Sequence, residues 1–184
     1  MTACLSRGRW ICAYGPRRPA IWLIPNRPIW LPFRSALTIS FDARFEGTGE
    51  ISNTVDRLRQ VVRNFRDRRA GLVPGGCPLL NTAIDSDDSN PPLRAKARQA
   101  LSSWLDRLQS IAEQGQRRGE LRSDVDCAKL ATLIVSTLEG SLMVSRLQRK
   151  EEPLDSAYRH LEECLESRVR AQKSKARAAN AIAR

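Results

Sequence analysis

The residues able to do chemistry are few and scattered. Five cysteines (Cys4, Cys12, Cys77, Cys127 and Cys164) are widely spaced, odd in number and form no CxxC pair. Neither a disulfide framework nor a zinc site is indicated, and no metal or other cofactor is expected. His160 is the single histidine, so His-dependent triads and multi-histidine metal sites are nearly excluded. Glu113, Glu120, Asp124 and Asp126 fall on a polar helix face or at helix ends, where capping and solvation account for them. No catalytic carboxylate pair is present, and the chain is not expected to be an enzyme. Cys77, flanked by Gly75-Gly76 and Pro78, has the most distinctive local context. It is either a ligand-contacting or redox-sensitive thiol, or a small buried packing residue. Cys127 and Cys164 read as packing positions on helices.

What these residues need is a scaffold, and the periodicity supplies one made of helices. Pro91 to Arg118 is the strongest segment: Leu93, Ala97, Ala100, Leu101, Trp104, Leu105, Leu108, Ile111 and Ala112 recur at three and four. Asn90 is placed to cap it, Pro91 fits its first turn and Gly119 its end. An earlier helix carries Val55, Leu58, Val61, Val62 and Phe65 opposite a row of arginines, with Ser52 or Asn53 as cap. A short helix is expected before Gly47, and another over Cys77 to Ile84. Asp124 is expected to cap a helix from Val125 to about Arg149, whose apolar residues occupy more than one face. Gly140 in its middle costs about 1 kcal/mol against alanine, which close approach of a second helix would explain. Pro153 opens the last helix, with Leu154, Tyr158, Leu161, Cys164 and Leu165 on one face. No strand series or repeat is evident.

The formal charge of +11 is unevenly spread. Residues 1 to 40 hold six arginines and no acid, and 171 to 184 hold four basic residues and no acid. Ten of the eleven charges therefore sit in the two tails, so any attraction to phosphate comes from the ends. The last stretch reads as a solvated basic tail. Residues 1 to 32 are rich in Arg, Pro and Trp and follow neither helical nor strand periodicity. The apolar stretch Ala20 to Phe33 holds three prolines and an arginine, unlike a membrane span or signal core. No uninterrupted apolar run of membrane length occurs, and a reduced, cytoplasmic setting fits.

The order of these pieces resembles one family. A Gly-Gly-Cys-Pro-Leu-Leu-Asn-Thr-Ala segment (75–83), an acidic turn, a long helix ending in Gly-Gln-Arg-Arg-Gly-Glu-Leu-Arg-Ser-Asp-Val-Asp (115–126) and a Leu-Glu-Gly-Ser-Leu helix (138–142) are similar to the regulatory domain of tetracycline-repressor (TetR) type regulators. Phe33 to Leu37 resembles the start of the linker helix that joins this domain to the DNA reader. The resemblance spans 33–170 and implies an all-α C-terminal helical bundle that pairs as a homodimer through its last two helices and binds a small apolar or amphipathic effector.

Carried onto this chain, the resemblance puts Val135, Gly140, Leu142, Val144, Leu161, Cys164 and Leu165 at the dimer interface. The alternative for these apolar positions is a monomer core. A pocket needs apolar walls with a few orienting polar groups. Phe65, Cys77, Leu79, Asn81, Trp104, Leu108, Ile134, Thr137 and Leu138 are the candidates, with Leu80, Thr82 and Ile84 beside them; each also suits ordinary core. The family's helix-turn-helix has no counterpart in 1–32, where five prolines from Pro16 to Pro32 break any recognition helix. The expectation is a divergent or out-of-frame start in place of the reader; the alternative is an Arg/Trp arm for acidic partners. Operator DNA is a partner only if a functional reader is present. The resulting reading is a TetR-type regulator, a repressor, with its DNA-binding unit missing or altered. The competing readings are a dimeric ligand-binding or scaffold protein that has lost DNA recognition, and a small-molecule enzyme relying on Cys77.

Overall fold

A computed structural model describes residues 30–67, 77–86 and 90–172. The expectations for residues 1–29 and for the basic tail from 173 onward lie outside the described residues. Among the described residues six α-helices follow one another: α1 (Trp30–Phe45), α2 (Thr54–Asp67), α3 (Pro78–Asp85), α4 (Pro91–Arg117), α5 (Cys127–Gln148) and α6 (Glu152–Cys164). A 3-10 turn (Thr48–Glu50) joins α1 to α2, and a π-helical turn (Leu165–Val169) extends α6. No strand occurs among the described residues; a lone antiparallel bridge between Leu121 and Arg170 fastens the end of the π turn to the α4–α5 loop.

Helix α1 begins three residues earlier than its apolar texture suggests. Pro32 falls in its first turn, where the missing N–H has no intrahelical partner to lose, so the proline is compatible with helix rather than breaking it. Asn53 caps α2 by accepting from Val55 N (3.0 Å) and Asp56 N (3.2 Å). Asn90 caps α4 through Leu93 N (3.1 Å). The cap of α5 is Asp126, which accepts from Lys129 N at 3.0 Å, and not Asp124. Asp124 instead pairs with Arg122 at 2.6 Å in the preceding turn. Helix α4 stops at Gly119, whose φ of 66° is the left-handed conformation that glycine adopts without a Cβ clash.

Helix α2 is the hub. Val55, Leu58, Val61 and Val62 are completely buried, and α2 packs on α1, α4 and α6. Its arginine row is not simply solvated: Arg59 reaches Glu162 at 2.6 Å and Glu166 at 3.3 Å, and Arg63 reaches Glu162 at 3.4 Å, joining α2 to α6 and the turn after it. Gly115 lies where α4 crosses the start of α2, so close that a Cβ there would fall on the Thr54 hydroxyl.

Helix α5 buries one face (Leu130, Ile134, Val135, Leu138, Leu142) against α4 and α6. Its other face is open: Leu133, Met143, Val144 and Leu147 are exposed, and a Cβ on Gly140 would meet nothing. Among the described residues, no helix makes the close approach that the sequence invoked for Gly140. By length and mean hydropathy (1.4), α5 is also apolar enough to cross a bilayer. Its inner face fills the bundle core, and a core helix passes the same test.

Candidate ligand site

The most unusual chemistry lies inside the bundle, where five helices converge on one guanidinium. Arg44, near the end of α1, lies with its Cζ 4.3 Å from the Phe65 ring centroid of α2 and 4.7 Å from the Trp104 ring of α4. The two rings are stacked, with centroids 6.2 Å apart and planes 16° from parallel. Its Nη2 lies 3.5 Å from Glu139 Oε1 of α5 and 3.5 Å from the Cys77 sulfur at the start of α3. A cation over aromatic faces and beside a carboxylate is compensated without water, which is what allows it inside a core.

The electrostatics follow from this burial. Desolvation pushes the Glu139 carboxyl above its ordinary 4.5, while Arg44 pulls the other way. Burial likewise raises the Cys77 thiol, helped by the nearby Glu139 carboxylate and opposed by Arg44. Burial thus favours the protonated form of the Cys77 thiol. Trp104 Nε1, buried in the cluster, has no hydrogen-bond partner among the described residues, whereas the Glu139 carboxyl has the Cys77 thiol.

The end of α1 is anchored beside this cluster. Asn64 Nδ2 of α2 donates to the carbonyls of Arg44 (3.0 Å) and Glu46 (2.9 Å), satisfying groups that the helix end leaves open. Arg107 of α4 lies over the Phe45 ring at 4.3 Å. These contacts hold the end of α1, and with it Arg44, against α2 and α4.

Of the residues expected at the pocket, Phe65, Cys77 and Trp104 touch Arg44 directly. Leu79, Leu108, Ile134 and Leu138 are buried in the same core, whereas Thr137 is half-buried. Asn81 is exposed on α3, as is Ile84 at 63%, so neither faces the interior. Arg44 and Glu139 were missed, though the pattern held a signal for both. Arg44 stands between Phe41, Ala43 and Phe45, and Glu139 lies four residues after Val135 and three before Leu142, on the buried face of α5. A charge on the apolar face of a helix is the mark of a buried ion pair.

Of the residues expected at the interface, Val135, Leu142, Leu161 and Leu165 lie in the chain's own core, with exposures of 7% or less. Val144 is exposed, and Gly140 and Cys164 are half-exposed, on the outer side.

The fold and this cluster define an all-α bundle with a buried, incompletely paired polar core. Residues 54–161 match the family model of the tetracyclin repressor-like C-terminal domain. The match covers more than half of the chain, which belongs to the TetR family of transcriptional regulators. A TetR transcriptional regulator from Chloroflexus aurantiacus J-10-FL is 36% identical, with 76% of this chain and 71% of that one covered and a TM-score of 0.69. A TetR-family regulator from Cytophaga hutchinsonii is 28% identical over 77% of this chain and 70% of that one, with a TM-score of 0.70. The HTH-type transcriptional repressor DhaR of Mycobacterium sp. (strain GP1) is 24% identical over 110 residues, or 57% of this chain; the chain spans 56% of the length of that relative. All three relatives are described as transcriptional regulators.

Proposed function

We propose that this chain carries the effector-sensing and pairing half of a TetR-type transcriptional repressor acting in the cytoplasm. The observation that carries the reading is Arg44: the helix that enters the bundle first places its guanidinium among Phe65, Trp104, Glu139 and Cys77. A small molecule that takes hydrogen bonds or aromatic contact in this cluster changes the partners of Arg44, and with them the seat of α1. Binding acts by differential affinity for two positions of α1, which set the spacing of the DNA readers in a pair. Pairing uses the open face of α5, formed by Leu133, Thr137, Gly140, Met143, Val144 and Leu147, together with the Cys164 side of α6. An apolar stripe around a bare glycine suits close approach of a twin helix.

The test is a thermal-shift screen of small apolar and amphipathic compounds, followed by hydrogen exchange along 38–45 with each compound that stabilises the chain. Altered protection of these amides is the expected result. A stabilising compound that leaves α1 unchanged overturns the relay. In a gel shift with DNA from upstream of its own gene, salt-dependent and sequence-specific retention supports a repressor. No retention selects a dimeric ligand-binding protein that has lost DNA recognition.

A further inference from the structure

Glu139 is a carboxyl on the buried face of α5, with a side chain 11% exposed. Helix α1 brings it Arg44, whose Nη2 lies 3.5 Å from Oε1. The start of α3 brings the Cys77 thiol, which is hydrogen-bonded to the carboxyl. Helices α2 and α4 surround Arg44 with the Phe65 and Trp104 rings, neither of which titrates, and Arg107 of α4 is turned to the Phe45 ring instead. Helix α6, also packed on α5, buries Leu154 and Leu161 and pairs its Glu162 with Arg59 and Arg63 of α2.

These partners hold an ionised carboxylate poorly. A charge-assisted N–H···O bond is about 2.7–2.9 Å long and, from arginine, frequently twofold. Arg44 offers one nitrogen at 3.5 Å, and a thiol is a weak donor. The carboxylate therefore regains little of the hydration it loses, and burial raises its hold on a proton. Arg44 depends on the carboxylate less, because aromatic faces lie 4.3 and 4.7 Å from its Cζ. Lifting the end of α1 would admit water to Glu139, which favours the ionised carboxyl and does little for the protonated one.

Going beyond the effector reading, and independent of it, we propose that Glu139 is a proton switch for α1. With the proton in place the end of α1 stays seated on α2 and α4; without it α1 loosens, so that water reaches the carboxylate. The seated state holds this proton more tightly than the hydrated one. Acid therefore favours seating, and a rise in pH through the native titration of Glu139 weakens it.

The experiment follows hydrogen exchange of the full chain along 38–45 and 154–164 from about pH 5 to about pH 8, beside Glu139→Gln, which is neutral throughout. Comparing the two proteins at each pH cancels the intrinsic pH dependence of exchange. At the acid end they should exchange alike along 38–45. Toward neutral pH the unaltered chain should exchange about threefold or more faster there, with no difference along 154–164. Cys77→Ala should keep this pH dependence. Faster exchange along 38–45 in Glu139→Gln than in the unaltered chain at neutral pH overturns the switch, because the carboxylate then holds α1 down. Loss of the dependence in Cys77→Ala overturns the assignment to Glu139, and equal changes in both segments mean global unfolding and overturn it too. If Glu139→Gln fails to fold, the unaltered chain decides: protection along 38–45 must fall relative to 154–164 as pH rises. The effector reading stands or falls separately, since no effector is added.

Discussion

Arg44 of α1 and Glu139 of α5 stand 95 positions apart in the chain and meet at 3.5 Å, each with a side chain almost wholly withdrawn from solvent. The pair joins the first described helix to the fifth through the centre of the bundle. It also makes stability depend on pH in a particular direction.

Burial holds Glu139 above its ordinary 4.5, so the native state keeps this proton to higher pH than the unfolded chain does. Between the two values the native state binds more protons, and the unfolding free energy falls as pH rises from about 4.5 through the native pKa. Glu139→Gln should flatten that limb in urea titrations. Arg44→Met should deepen it, because the carboxylate then ionises without a partner, with a loss of about 3 kcal/mol at neutral pH. An identical pH profile for Glu139→Gln and the unaltered chain would show that this carboxyl is not held by burial.

Gly115→Ala should destabilise the protein even though alanine is the better helix former by about 1 kcal/mol. The new methyl would fall on the Thr54 hydroxyl and lie 3.1 Å from Leu121 Cβ. Thr54 has little room to yield, because its hydroxyl and its backbone N–H both donate to Glu120 Oε2 at 2.7 Å. A net loss of roughly 1–3 kcal/mol in chemical denaturation is expected from such overpacking. A gain in stability would mean that α2 and α4 separate at this crossing at little cost.

The two faces of α5 should respond differently to substitution. Leu142 is 6% exposed in the core, and Leu142→Ala should cost roughly 2–5 kcal/mol in unfolding. Met143 and Leu147 are 43% and 79% exposed, and the double change Met143→Glu with Leu147→Glu should leave the helical circular dichroism intact. Under the pairing proposal, the same double variant sediments as a monomer where the unaltered chain sediments as a dimer. Equal sedimentation of the two proteins would remove α5 from the pairing surface.

Much of this architecture was legible because helices leave a local signature. The 3.6-residue recurrence of Leu93, Ala97, Trp104, Leu108 and Ile111 sets the buried face of α4 wherever that helix lies, and Asn53 and Asn90 act as caps through bonds to amides two or three residues on. The choice between Asp124 and Asp126 was not legible, because either carboxylate can cap. Pairing of Arg122 with Asp124 and the turn before α5 decided it.

The sequence by itself determined the helices, their buried stripes and the concentration of positive charge at the two ends, since each depends on residues near one another in the chain. Only the tertiary structure decided which apolar residues are core and which face outward. Val135, Leu142 and Val144 look alike in sequence, yet the packing of α4 and α6 covers the first two and leaves the third open. The meeting of Arg44 with Glu139, Phe65, Trp104 and Cys77 was likewise a matter of five helices crossing at one point. A buried charge is tolerated only where its partners converge in space, and spacing along the chain does not encode that convergence.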